Sequence, residues 1–456
     1  MTAALWSGFY FPLQCYNAHI IPGKRYGMRN LLSTKWLQDL SDQQKDVLLG
    51  LFIVLIVAVL YYFQWAFYLT GLEGSKVNVD QPERYFWWAN DSRSYGSAGE
   101  WLFGREITNA IGERPWLYPF LLGLARTLFG GRAEGVLWIS QFLMWLASGL
   151  FIYLALQNGT KSTILSMIGA GIFFSHPSPL ILTFHGMTES LNILLIAMFC
   201  WVLTTDMRNR YYFAILLVSL ATVTKPIYLV FLILLTIYVF ARYKETPRMR
   251  QIGVIALLLA PIWIQLILST LAIGKPTIST IGAYTFKNYL VADVHLRVEG
   301  LQWRESMKAI EDWDLQKQLT YLWEHQRETA LAYRRHIIDS NLWTGSFFTL
   351  GEGNRLAEFV RTANATAAYL HLLMLPILVY YLVSSKYQDN KETIALLYIC
   401  FVIQILTTGI STGQEDRLII TALPLWIVAY ILTLAGLATH RLNNNIQPFD
   451  SSNSLA

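Results

Sequence analysis

Asp91, Tyr95 and Ala98 stand at i, i+4 and i+7 in the stretch NDSRSYGSAGEWLFG (90–104), so a helix there places them on one face, and Gly104 can end it. A carboxylate so placed has two uses. As an N-cap it accepts hydrogen bonds from the free amides of the first turn. Beside a lipid-lined cavity it can instead take a proton from an attacking hydroxyl. The local spacing does not choose between them. Farther along, Lys225 precedes Pro226 in TVTKP. Proline removes a backbone donor and restricts its predecessor, which predicts a turn. An ionisable group at such a turn within the membrane region is costly without a partner and reads as functional, against the ordinary alternative of a lysine that snorkels to the surface.

The elements that must position these residues follow from composition. Of 456 residues, 54% are hydrophobic and 14% charged, against about a quarter charged in soluble domains. The expected fold class is an all-α polytopic membrane protein. A helical span needs about 20 apolar residues, and apolar length predicts ten transmembrane helices over 48–70, 135–157, 163–184, 190–205, 211–224, 226–241, 251–274, 366–384, 393–410 and 418–439. The formal charge of +5 is explained by basic loops, with membrane lipids as partners and no nucleic acid. Cys200 and Cys400 lie in apolar runs and Cys15 near the start, which is neither a metal spacing nor a disulfide framework. Sequons at Asn90, Asn158 and Asn364 carry little weight, since such tripeptides are common by chance.

Lysine and arginine set the orientation. The loops 206–210, 242–250 and 384–391 and both termini fall on the cytoplasmic side. Residues 1–47 form a cytoplasmic or interfacial segment without the order of a signal peptide, with Met28 an alternative start, and 441–456 a cytoplasmic tail. Residues 211–241 then leave and return to one side in too few residues for two full spans, so they form a hairpin that stops short, with Lys225 facing an outer cavity. The apolar stretch 115–130 carries Arg126 and suits a helix lying at the outer interface. The outer side holds the loops 71–134 and 275–365, the turn 185–190 and residues 411–417, and within 315–343 apolar residues at three- and four-residue intervals predict a pair of amphipathic juxtamembrane helices.

The ordered set NDSRSYGSA, GERPWLYP, FHGMTESLN, ATVTKPIY and GQEDRLII resembles the GT-C glycosyltransferases, in particular the branch of protein O-mannosyltransferases and aminoarabinose transferases. In that family an acidic residue in the first outer loop is followed by Tyr four positions on, then Arg-Pro-Pro-Leu-Tyr-Pro, a Thr-Glu or Ser-Glu opening a span, an Arg-Pro or Lys-Pro in a short hairpin, and a late Arg before an apolar span. Asp91, Tyr95 and Ala98, Arg114 to Pro119, Thr188-Glu189, Lys225-Pro226 and Arg417 match, over most of 48–440. Residues 1–47 and most of 275–365 fall outside the resemblance. Leu418 stands where Tyr is usual, and Ser92 where many relatives carry a second acid.

The resemblance implies transfer of a sugar from a polyprenyl-phosphate carrier to an acceptor hydroxyl on a protein, lipid or polysaccharide, with inversion, at the extracytoplasmic or lumenal face of a membrane, a bacterial plasma membrane in preference to an endoplasmic reticulum. Asp91 would be the general base. Arg114, Lys225 and Arg417 would hold the departing phosphate, and Tyr95, Glu113 and Glu189 would contact substrate. The ordinary roles are ion pairs of Arg114 with Glu113 and of Arg417 with Glu415 or Asp416, a helix-dipole position for Glu189, and an interfacial one for His185. With Ser92 in place of an acid a divalent metal is poorly provided for, though Glu113 or Glu415 could complete a site, and metal use stays unassigned. The competing class is a transporter or flippase, which also uses broken helices and charges at membrane depth. No internal repeat supports it.

Overall fold

The computed structural model describes residues 41–71, 90–105, 109–244, 247–338, 342, 355–384, 390–412 and 415–445. The expectations for residues 1–40 and for the tail beyond 445, including Met28 and Cys15, lie outside the described residues. Two units divide the chain at 49/50, and the second carries everything discussed below.

Among the described residues the protein is helical, with no strand. In chain order the α-helices are α1 (Asp42–Gly71), α2 (Asn90–Leu102), α3 (Ala110–Glu113), α4 (Leu117–Phe129), α5 (Ala133–Thr160), α6 (Thr163–Ser175), α7 (Pro177–Ile181), α8 (Glu189–Thr204), α9 (Arg210–Thr222) and α10 (Leu229–Arg242). They continue as α11 (Arg248–Leu258), α12 (Ala260–Ile273), α13 (Ile281–Thr285), α14 (Ala292–Glu299), α15 (Trp303–Ala309), α16 (Leu315–Glu324), α17 (Gln326–Ile337), α18 (Arg355–Val383), α19 (Lys391–Thr408) and α20 (Leu423–Asn445). Among the described residues five stretches are long and apolar enough to cross a membrane, and up to seven if each of two bent pairs counts as one span.

Two of the expected spans are bent. Residues 163–184 do not form one straight helix, because α6 and α7 meet at 60°. Pro177 cannot continue the ladder, and His176 caps the new helix by accepting the Ser178 amide at 3.3 Å on its Nδ1. Residues 251–274 likewise break between α11 and α12 by 56°, just before Pro261. The expected hairpin is found: α9 stops at Thr222 and Lys225 is extended at φ −144° and ψ 108°, the conformation a following proline imposes. A helix of 13 residues such as α9 reaches roughly 20 Å, short of a bilayer core of about 30 Å.

α5 packs along α6 and α8, and α20 lies against all three. The apolar window of α20 is 78% buried, that of α1 22%, so α20 is an inner helix whose first turn sits inside the bundle. The small residues of α2 let it approach α4 closely: a Cβ on Gly99 would lie 2.5 Å from the Pro119 carbonyl oxygen, and one on Gly123 2.5 Å from that of Gly99. α2 ends as expected at the turn before Gly104, whose φ is +70°.

The expected amphipathic pair is present as α16 and α17. With α14 and α15 it surrounds a small core of Leu290, Val291, Val294, Ile310, Leu322 and Ala332. This layer rests on the end of α19, where Tyr333 Oη donates to the Leu406 carbonyl and His336 Nδ1 lies 3.0 Å from the Gly409 carbonyl oxygen. The opposite ends of the helices are joined separately, by Arg242 with Glu392 at 3.2 Å, Asn390 donating to the Gly159 carbonyl at 3.0 Å, and Tyr243 Oη donating to the Arg208 carbonyl at 2.8 Å.

Candidate functional site

Five charged side chains, each at a helix end or a turn, come together. Asp91 lies in the first turn of α2, Arg114 directly after α3, Glu189 at the start of α8, Lys225 at the hairpin apex, and Arg417 in a 3-10 turn at 415–418 ahead of α20. Helix ends suit such a cluster, because their unsatisfied backbone groups already have to be met by polar partners.

Asp91 accepts from two arginines, Arg114 Nη2 on Oδ1 at 2.9 Å and Arg417 Nη1 on Oδ2 at 2.5 Å. Arg417 Nε donates to Glu189 Oε1 at 2.6 Å, and Lys225 Nζ donates to the same oxygen at 3.1 Å and to the Arg417 carbonyl at 3.0 Å. Arg417 is therefore the bridge, its fork joining the two carboxylates as a lysine could not. Glu189 is fully buried and the Arg417 side chain 5% exposed, whereas Asp91 retains 36%. The cluster opens at Asp91. Taking charges out of water is expensive, and such an arrangement persists only where partners and hydrogen bonds are complete.

These contacts displace the ordinary readings. Asp91 does not act as a free N-cap, because both of its oxygens face guanidinium groups. Arg114 pairs with Asp91 rather than Glu113, and Arg417 with Asp91 and Glu189 rather than Asp416. Lys225 does not snorkel, its side chain being 10% exposed and paired. Burial alone would raise the proton affinity of Asp91, but Arg417 and Arg114 outweigh it and hold the carboxyl below the usual aspartate range.

The remaining candidates fall around this centre. The Tyr95 ring lies under the Arg114 guanidinium at 4.8 Å and edge-on to Tyr118 at 5.6 Å, and is almost wholly buried. Glu113 is exposed, and its backbone carbonyl accepts from Ser279 Oγ at 2.5 Å. The structure does not bring its side chain into the cluster. His185 is buried, with its carbonyl accepting Gln141 Nε2 at 2.8 Å. Ser92, standing where a second acid is common, is buried and donates to the Met187 sulfur at 3.2 Å, so its surroundings are apolar. Glu415 has no described side chain. Among the described residues no three of His, Cys, Asp and Glu gather as metal ligands, and both oxygens of Asp91 and Oε1 of Glu189 already face cations.

Sequence reasoning missed several supports. Ser94 accepts Arg114 Nε at 2.8 Å and donates to the Asp91 carbonyl at 2.7 Å, so it aims the arginine at the carboxylate one turn away. Its position at i+3 from Asp91 was the available signal. Gln141, deep in α5, holds the 183–185 segment by donating to the carbonyls of Thr183 and His185 at 2.9 and 2.8 Å. Asn364 is not an accessible glycan acceptor: it is buried, and its amide donates to Asp416 at 3.2 Å. The chain matches no protein-family model, and no characterised protein resembles it in sequence at a significant level.

Proposed function

We propose that this protein is a membrane glycosyltransferase that moves a sugar from a polyprenyl-phosphate carrier to an acceptor hydroxyl, with Asp91 as general base. The observation that supports it is the convergence of Arg114, Arg417 and Lys225 on Asp91 and Glu189 at one end of the helices. Three cations against two carboxylates leave one net positive charge, which matches the single negative charge of a phosphodiester. In the reaction the acceptor oxygen bonds to the anomeric carbon and the carbon–oxygen bond to phosphate breaks with its electron pair going to phosphate. The acceptor proton passes to Asp91. The leaving phosphate monoester, with a second pKa of about 6, then carries up to two negative charges. Neutralising Asp91 leaves two net positive charges opposite them, so the site stays balanced through the step.

The ion pairs also set when Asp91 is a good base. While Arg114 and Arg417 lie on it, its affinity for a proton is low. A donor phosphate competes for both guanidinium groups, and as they turn to it Asp91 recovers its basicity beside the acceptor. Glu189 keeps Lys225 and Arg417 oriented throughout, and Tyr95 and Ser94 steer Arg114.

Ten membrane crossings, both termini cytoplasmic and the cluster on the outer side of a bacterial plasma membrane belong to this proposal. The joining of residues 208, 242, 390 and 392 at the end opposite the cluster favours it. On this layout Asn158 is cytoplasmic, and a glycan found there would overturn it.

The test is reconstitution of the full chain in proteoliposomes with lipid-linked sugars extracted from host cells, followed by mass spectrometry of lipids and acceptors. Asp91→Asn abolishes transfer while a short-chain polyprenyl phosphate still binds. Retained transfer would end the reading. A second reading, translocation of a lipid-linked substrate, draws on the bent pairs α6–α7 and α11–α12. It predicts movement of the labelled lipid between leaflets with no change in its covalent structure.

A further inference from the structure

Asp416 and Arg417 are neighbours in the 415–418 turn, yet their side chains serve opposite sides of it. Arg417 reaches Asp91 and Glu189. Asp416, 3% exposed, accepts Ser178 Oγ from α7 and Asn364 Nδ2 from α18 at 3.2 Å. Ser178 is itself fully buried and begins at the α6–α7 bend, where its amide is capped by His176. One carboxylate thus ties together a bent helix, a long helix and the turn that carries the bridging arginine.

The rest of the turn is held by backbone groups. The Asp416 carbonyl accepts the Ile419 amide at 3.0 Å, the Arg417 carbonyl accepts Lys225 Nζ at 3.0 Å, and the Leu418 carbonyl accepts Gln404 Nε2 at 2.8 Å. These fix the turn toward α9, α10 and α19, and Asp416 anchors it toward α7 and α18. Burying a carboxylate is costly, and an amide would fill the same volume. The charge is accounted for if the turn needs stronger, charge-assisted bonds at that point. Arg417 requires such an anchor, since it must meet two carboxylates from different helices at 2.5 and 2.6 Å.

We infer that Asp416 is a positioning residue: gripped by Ser178 and Asn364, it locks the 415–418 turn so that Arg417 faces Asp91 and Glu189 and can receive a phosphate. The inference rests on the proposed role of Arg417 as a phosphate-holding cation.

A double-mutant cycle on the purified full chain tests it, with farnesyl phosphate as the probe and binding measured by calorimetry. The proteins are wild type, Asp416→Asn, Arg417→Lys and the double variant. Asp416→Asn weakens binding by about tenfold and Arg417→Lys by at least as much, and the double variant binds no more than about twofold worse than Arg417→Lys alone, because residues acting through one another are non-additive. The swap Asp416→Asn with Asn364→Asp returns most of the affinity, an outcome a general loss of stability would not produce. Losses that multiply, or an Asp416→Asn protein that binds like wild type while Arg417→Lys does not, overturn the inference and leave the proposed function standing. If Arg417→Lys binds like wild type, the phosphate role of Arg417 fails and the inference fails with it. Should Asp416→Asn lose its cooperative thermal transition, Ser178→Ala replaces it in the same cycle, with the same expected non-additivity.

Discussion

Two groups of ion-paired carboxylates in this protein keep very different company. Asp293, in the layer formed by α14 to α17, accepts Arg297 Nε at 3.1 Å one turn along its own helix and lies 3.3 Å from His336 Nε2. Asp91 and Glu189 are held by residues 114, 225 and 417, gathered from across the chain. An i,i+4 pair adds modest stability to a helix that forms anyway. A cluster assembled from separate segments cannot be explained as a local staple, because each charge must be carried into the protein by its own element and met there. The two regions also differ in spare capacity. Among the described residues, the Asp293 group sets one acid against one arginine and a histidine that is charged only when protonated, while the other contains one more cation than carboxylates and opens at Asp91. That surplus is what a bound anion would use.

Breaking the comparison at its strongest point, Asp91→Asn lowers transfer by about 10²–10⁴-fold, the range of a lost general base. The measurement is the initial rate in proteoliposomes at saturating donor. The corresponding Asp293→Asn change leaves that rate within about twofold and costs roughly 1–2 kcal/mol, as for a lost charge-assisted hydrogen bond. Equal losses of rate in the two variants would erase the distinction.

Next in size, Lys225→Met removes one partner of a buried pair and destabilises by about 3–5 kcal/mol at most, since Glu189 keeps Arg417. Lys225→Met combined with Glu189→Gln costs less than the sum of the two single changes, read from denaturation midpoints, because both remove the same pair. Losses that add in full would contradict pairing as the source of the effect.

The smallest effect is on the dependence of stability on pH. The folded-state proton affinity of Asp91 is depressed, so its contribution is present above its unfolded value, about 3.9, and is lost as pH falls through the lower folded value. The same sign applies to Asp293, where burial opposes but His336 and Arg297 prevail. Thermal midpoints measured from pH 6 downward therefore decline below about pH 4, and Asp91→Asn makes the decline shallower. If that variant lost more stability on acidification than wild type, the assignment of Asp91 as an ionised partner would be wrong.

Much of the architecture was legible because apolar length, proline and charge each act locally. Lys225-Pro226 marked the hairpin, the three- and four-residue spacing of 315–343 marked α16 and α17, and Gly104 marked the end of α2. The stretches 163–184 and 251–274 were read as spans from apolar length alone, and the bends at Pro177 and just before Pro261, where a backbone donor is missing, were not anticipated. Asp91, Glu189, Lys225, Arg114 and Arg417 were all singled out, but their partners were not, since adjacency in sequence suggested Glu113 for Arg114 and Asp416 for Arg417. Pairings such as Ser178 with Asp416 across 238 positions leave no periodic trace, and Glu113 shows that a charged residue beside a motif need not face where the motif does.

The crossing of α2 and α4 has a mechanical consequence. Asp91 hangs from the first of these helices and Arg114 lies just ahead of the second, and at Gly99 and Gly123 the two backbones touch with no room for a methyl group. The clearance between an acid and its arginine is thus set two helical turns away, by carbon atoms the chain does not have. Fitting one there would work like a shim under a hinge, opening a gap at the far end of the lever.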